Sequence, residues 1–186
     1  MTKSIVISGP PAVGKTTVAK GLAKEFNFQY LSGGDVLKEM AKEQGFNSDG
    51  DDWWDTLEGM KFLNQREQNS EFDKNLDKKL TELFNQGGMV ITSYTLPWLI
   101  ENGVKIWLEG SHESSTKRMQ SRDNMSSENA YEITKARFDK NKALYKKLYG
   151  FSFGEDKDVF DVIINTDNLT ANQVIDVTTE TVRKLL

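Results

Sequence analysis

Ile5-Val6-Ile7-Ser8-Gly9-Pro10-Pro11-Ala12-Val13-Gly14-Lys15-Thr16 is the stretch that decides the fold. An apolar, strand-like run enters it and an amphipathic, helix-like run leaves it. Between them the spacing is G-x-x-x-x-G-K-T, that of a phosphate-binding loop. Gly9 and Gly14 allow backbone conformations and close approaches that a Cβ would block. The backbone N–H groups of such a loop converge on phosphate oxygens, and the helix N-terminus behind them adds a partial positive charge. Lys15 reaches the terminal phosphates, and the Thr16 hydroxyl is placed to bind Mg²⁺. The candidate triphosphate site is therefore Gly9, Pro10, Pro11, Ala12, Val13, Gly14, Lys15, Thr16 and Thr17.

Working outward, 186 residues are enough for one domain with a real core. With 37% hydrophobic and 28% charged residues, a soluble globular protein is expected. The net charge of −4 speaks against a grip on a nucleic-acid polymer, but not against a small phosphorylated ligand. The absence of cysteine removes disulfides, thiolate metal sites and cysteine nucleophiles. No apolar run approaches membrane-spanning length. A strand beginning near residue 4 leaves no room for a signal peptide, so a cytoplasmic location, away from membranes, is the expectation. Of the 24 basic residues only five are arginines: Arg66, Arg118, Arg122, Arg137 and Arg183. Bidentate recognition of phosphate favours arginine, which makes these five a short list.

No repeat, low-complexity tract or linker interrupts the chain. Apolar runs at 4–8, 28–31, 89–92, 104–108 and 159–164 read as five strands. Helical spacing is read over 14–26, after a capping turn at Ser32-Gly33-Gly34-Asp35 to about Glu43, and over 56–66, 70–86, 111–122, 127–148 and 171–186. Gly87-Gly88 stops the helix before the third strand, and 45–55 is polar and turn-rich around Trp53-Trp54. Strands alternating with helices predict an α/β fold with a parallel sheet and ligands at the carboxyl ends of its strands.

Two features point to a small kinase rather than a GTPase or motor ATPase. The third strand runs into Thr92-Ser93-Tyr94 and not into a Mg²⁺-binding Asp. Arg118 and Arg122, four apart, share one helix face, with Arg137 on the next helix. Such a face suits the negative charge that builds on a transferring phosphoryl group; the competing reading is a solvated charged helix.

With these residues laid out, the chain resembles the nucleoside monophosphate kinases, and within them the archaeal-type cytidylate kinases. The likeness runs through Ile7-Ser8-Gly9-Pro10-Pro11, Leu31-Ser32-Gly33-Gly34-Asp35, Glu71 to Asp77, Val104 to Leu108, Tyr145 to Gly150 and Phe160 to Thr166. It implies a three-layer P-loop kinase fold, with a five-stranded parallel sheet, helices on both faces, and insertions that bind the acceptor (about 32–86) and form a lid (about 111–148). The whole chain, 1–186, is then a single domain. It implies transfer of the ATP γ-phosphoryl, with Mg²⁺ carried by ATP, to CMP or dCMP. Lys15, Arg118, Arg122 and Arg137 would be catalytic. Asn165 and Thr166 would lie beside the adenine. Ser32, Gly33, Asp35, Lys38, Asp73 and Asp77 would face the acceptor. The partners expected are ATP and a nucleoside monophosphate or related small acceptor, bound by a monomer.

The chain departs from that pattern where Lys38, Tyr94 and Leu144 stand in place of arginines. Two charges are lost, each charge-assisted bond to phosphate being worth about 1.5–3 kcal/mol. Alternatives follow: a kinase for a nucleoside or modified nucleotide, or an ATP-binding regulatory protein with a decayed acceptor site. Asp73 and Asp77 read either as acceptors for a cytosine amino group or as surface carboxylates. Trp53 and Trp54 read as packing residues before base-stacking ones, Asp35 as a helix cap or an aid to the Mg²⁺ water shell, and His112 as a surface residue.

Overall fold

The computed structural model describes residues 2–47, 53, 56–68 and 70–186. Five strands, β1 (Ile5–Ser8), β2 (Gln29–Ser32), β3 (Met89–Thr92), β4 (Val104–Glu109) and β5 (Val162–Asn165), form one parallel sheet in the order β2-β3-β1-β4-β5. Between them run α1 (Lys15–Phe26), α2 (Gly33–Glu43), α3 (Leu57–Gln68), α4 (Ser70–Asn85), α5 (Leu96–Leu99), α6 (His112–Asp123) and α7 (Ser127–Tyr149), with α8 (Ala171–Arg183) closing the chain.

The central strand explains the layering. Every residue of β1 is buried, so its side chains feed two cores at once. Ile5 and Ile7 pack with Val18, Leu22, Val174 and Val182 of α1 and α8. Val6 points the other way, into a core with Val36 and Leu37 of α2, Leu76 and Leu80 of α4, and Leu96 of α5. Trp53 belongs to this second core, fully buried against Phe62, so packing is its role; Trp54 lies outside the described residues. β1 is flanked by β3 on one side and β4 on the other, and the chain leaves these strands in diverging directions. A crevice opens at the carboxyl end of β1, where a parallel sheet of this kind takes its ligands.

A third core has no counterpart in the strand and helix pattern. Trp98, Trp107, Tyr145, Phe151, Phe153 and Phe160 form an aromatic cluster with Tyr94 and Leu144. Trp98 stacks on Phe151 with ring centroids 4.2 Å apart, and the Phe153 edge meets Trp107 at 5.3 Å. The cluster fastens the C-terminal half of α7 to the sheet. A polar latch adds to it: Asp77 of α4 accepts from Tyr149 Oη and from Thr95 Oγ1, each at 2.5 Å. Burial, then the bond to Asp77, pushes the Tyr149 phenol well above the usual tyrosine range.

Three expectations change. The fifth strand begins at Val162 rather than near Val159, because Phe160 turns into the aromatic cluster and Asp161 pairs with Lys105 through both its N–H and its carboxylate. The cap of α2 is Ser32, whose Oγ accepts from Asp35 N, so Asp35 sits inside the first turn and is not the cap. His112 is half-buried between α6 and α7, its ring edge-on to Tyr131 at 4.3 Å and its Nε2 3.1 Å from the Tyr131 carbonyl.

A Cβ on Gly9 would lie 2.3 Å from the Leu108 carbonyl oxygen, on a backbone at φ +147°. Gly9→Ala should therefore lower stability by about 1–3 kcal/mol, read as a lower urea midpoint at constant m; an unchanged midpoint would show that the loop can shift away from β4. Tyr149→Phe should cost about 1–3 kcal/mol by the same measurement, because the Asp77 carboxylate loses a buried donor; equal stability would show that the latch contributes nothing.

Candidate active site

The phosphate loop leaves β1 at Ser8, with Gly9 at φ +147°, Ala12 at φ 56° and Gly14 at φ 100°. The last two positive values bend the chain so that α1 begins at Lys15 directly behind the turn. The N-cap of α1, Gly14, supplies no side-chain hydrogen bond, whereas α2, α6, α7 and α8 are capped by Ser32, Ser111, Ser126 and Thr170. The first amides of α1 are thus left for an anion, and the space beside Gly14 Cα holds no atom within 4 Å of where a Cβ would be.

These amides face a cleft of about 1030 Å³ at the carboxyl end of the sheet. Every strand but β4 sends its C-terminal loop or last residue to its wall: Ala12 to Thr17 after β1, Ser32 from β2, Thr92 to Thr95 at β3, Thr166 after β5. β4 contributes through α6, which brings Arg118 and Arg122, and α7 adds Arg137 and Lys140. Among the described residues seven cationic side chains line the cleft against four carboxylates, in a chain whose net charge is −4. The positive field is local, which suits a polyanionic small ligand.

Lys15 Nζ donates to the Gly9 carbonyl at 2.9 Å and the Pro10 carbonyl at 2.6 Å. It also lies 4.7 Å from the centroid of the Tyr94 ring. Burial lowers its pKa from the ordinary lysine value; Tyr94 opposes that effect, and the charges of Arg137 and Arg122 add to it. Arg122 is bidentate on its neighbour Asp123, with Nε and Nη2 at 2.5 and 2.6 Å from the two carboxylate oxygens. Arg118 is held differently. Its Nη2 donates to the Thr166 carbonyl at 2.8 Å, and its Nη1 is buried with no partner among the described residues. Arg118 thus sits at the β5 end of the cleft and Arg122 nearer Lys15.

The other sequence candidates divide. Ser32, Gly33, Asp35 and Lys38 from β2 and α2, and Asp73 and Asp77 from α4, all line the cleft. Asp73 and Asp77 are buried, so the reading of them as surface carboxylates is overturned. Pro10 and Pro11 lie behind the loop, on a separate pocket of about 220 Å³ with Trp107, His112 and Ser115. Asn165 is exposed and accepts from Asp167 N at 2.9 Å, while Thr166 is buried and tied to the Glu109 carbonyl. Arg183 pairs with Glu25 on α1, and the Arg66 side chain lies outside the described residues.

Lys20, Thr95, Lys140 and Tyr145 line the cleft and were not among the sequence candidates. Lys140 carried a usable signal, since it follows Arg137 by three and shares its helix face. Thr16 is exposed in the cleft at the second position of α1, and among the described residues no group of three or more His, Asp or Glu could hold a metal ion. These donors fit a divalent cation that arrives on the phosphates and takes one hydroxyl from the protein.

The family model described as cytidylate kinase-like matches residues 4–168. The cytidylate kinase of Sulfurisphaera tokodaii is 31% identical over 173 residues, covering 91% of this chain and 89% of that one. That of Thermococcus kodakarensis is 32% identical over 163 residues, covering 87% and 78%. Among solved structures, the shikimate kinase of Acinetobacter baumannii in complex with shikimate superposes with a TM-score of 0.62 at 17% identity, over 99% of this chain and 94% of that one, a likeness of fold alone. The match across nearly the whole chain, on a sheet and loop of this kind, makes the protein a member of the cytidylate kinase-like family.

Proposed function

We propose that the protein is a nucleoside monophosphate kinase that transfers the γ-phosphoryl group of MgATP to CMP or dCMP, giving ADP and the diphosphate. The observation that carries this reading is the uncapped start of α1, with Lys15 at its mouth, opening on a cleft that Arg122 and Arg137 also line. The names of the relatives support the acceptor.

The triphosphate lies along the amides at the start of α1, with Lys15 exchanging the Gly9 and Pro10 carbonyls for phosphate oxygens. Thr16 would hold the Mg²⁺ that ATP brings, which would supply positive charge to the phosphates. Arg118, fixed on Thr166, keeps one buried N–H edge of its guanidinium for the nucleotide at the base end. The acceptor lies against Ser32, Gly33, Asp35 and Lys38, in the unit formed by residues 32–86. One of its phosphate oxygens attacks the γ-phosphorus as the bond to the β–γ bridging oxygen breaks and ADP leaves. The equatorial oxygens gain negative charge in that step, and Arg122 and Arg137 are the cations placed to meet it. Arg122 exchanges Asp123 for phosphate as α6 and α7, the lid of residues 111–148, close and exclude water.

Lys38 and Lys140 also line the cleft, and Lys140 lies one helical turn before Leu144, where a charge is missing. The apolar faces of Tyr94 and Leu144 favour a second reading, a less anionic acceptor such as a nucleoside.

A screen of nucleoside monophosphates and nucleosides, read as ADP formed from MgATP, tests both. Turnover is expected with CMP or dCMP. Turnover on nucleosides alone would replace the first reading by the second, and none on any acceptor would contradict both. In the active assay, Lys15→Ala and Arg122→Ala should each lower kcat by about 10²-fold or more while MgATP affinity falls less. An unchanged kcat in either variant would remove that residue from the chemistry.

A further inference from the structure

Lys15 lies near two like charges. Arg122 and Arg137 are like charges that act on it from α6 and α7. It is held by two carbonyls of its own loop and by Tyr94, whose ring centroid lies 4.7 Å from Nζ and whose hydroxyl also acts on it. That ring is not loosely placed. Ser8 Oγ donates to the Tyr94 carbonyl at 3.3 Å, and Ser93 N donates to the Ile7 carbonyl at 3.1 Å, tying the turn after β3 to β1. Ser93 Oγ accepts from the N–H groups of Thr95 and Leu96, which fixes the turn from the other side. The ring itself meets Phe153 edge-on at 5.5 Å and lies beside Tyr145 of α7 at 6.4 Å.

We propose that Tyr94 is a positioning residue for Lys15, its ring face holding the ammonium at the mouth of the phosphate loop. The inference rests on reading the cleft as a kinase site. The chemistry of the position favours a ring over the alternatives. An arginine there would repel Lys15. A carboxylate would pair with it and compete with the incoming phosphate. An aliphatic side chain would leave the ammonium to search its rotamers. An aromatic face attracts the cation through its quadrupole and carries no formal charge for phosphate to displace. Because Tyr94 also packs on Tyr145, the ring links Lys15 to the helix that carries Arg137.

The test keeps shape and changes only the ring's electrons. Tyr94→Phe is compared with replacements of Tyr94 by mono-, di- and trifluorinated phenylalanine, each fluorine weakening the attraction for a cation. With saturating acceptor, kcat should fall stepwise along the series, by about tenfold in all. KM for MgATP should move less than about twofold, and the melting temperature should stay constant. A kcat independent of fluorination would overturn the proposal, as would a loss that appears in KM alone. A folded but inactive Tyr94→Phe protein would overturn it too, since the hydroxyl and not the ring would then be acting. A wild-type protein that forms ADP with a flat series sinks this inference alone; one that forms no ADP with any acceptor sinks the kinase reading and this inference with it.

Discussion

The main-chain amides at the start of α1 are the groups on which the cleft depends. A helix leaves its first N–H groups without intrahelical partners, and at α2, α6, α7 and α8 a serine or threonine side chain answers one of them. At α1 none does. The left-handed turn through Ala12 and Gly14 and the close approach of Gly9 to Leu108 hold the loop so that these donors face open space. The sheet makes the arrangement rigid, because β1 is buried on both faces and hydrogen-bonded on both edges. The loop proposed to receive a triphosphate thus leaves a strand that is buried throughout, so its geometry would cost little reorganisation when charge shifts during reaction.

Around that fixed point the cationic groups are parked on internal partners. Lys15 rests on loop carbonyls and an aromatic face, Arg122 on Asp123, Arg118 on the Thr166 carbonyl. Each partner holds its cation near the cleft and offsets part of the cost of taking it from water. The aromatic cluster and the Asp77 latch then anchor the C-terminal half of α7 to the sheet and to α4. The turn between α6 and α7 lies at the far end of these helices from that anchor. Motion of a lid made from α6 and α7 is thereby expected at the end that carries Arg122, with the base of α7 held still.

Much of this was legible in the sequence because it rests on short-range rules. The loop spacing, the strand runs and the helix periods predicted the sheet, the turn between β1 and α1, and the face of α6 that brings both Arg118 and Arg122 to the cleft. What escaped were long-range pairings. Nothing local tells that Tyr149 reaches Asp77 across 72 positions, or that Trp98, Phe151 and Phe160 meet. The late start of β5 has the same origin: Val159 and Phe160 look like strand residues, and Phe160 is claimed by a cluster assembled from distant segments. Tyr94 drew notice only as a missing arginine. Its contact with Lys15 depends on β1 and β3 being neighbours, a fact of topology that spacing does not contain.

The central claim is that the amides at the start of α1, with Lys15, bind a triphosphate. Calorimetric titration of the wild-type protein with MgATP, and in parallel with adenosine, tests it directly. The account predicts saturable binding of MgATP and affinity for adenosine weaker by at least about 10²-fold, since several charge-assisted bonds of about 1.5–3 kcal/mol each would be missing. No heat at millimolar MgATP, or adenosine binding as tightly as the triphosphate, would contradict it.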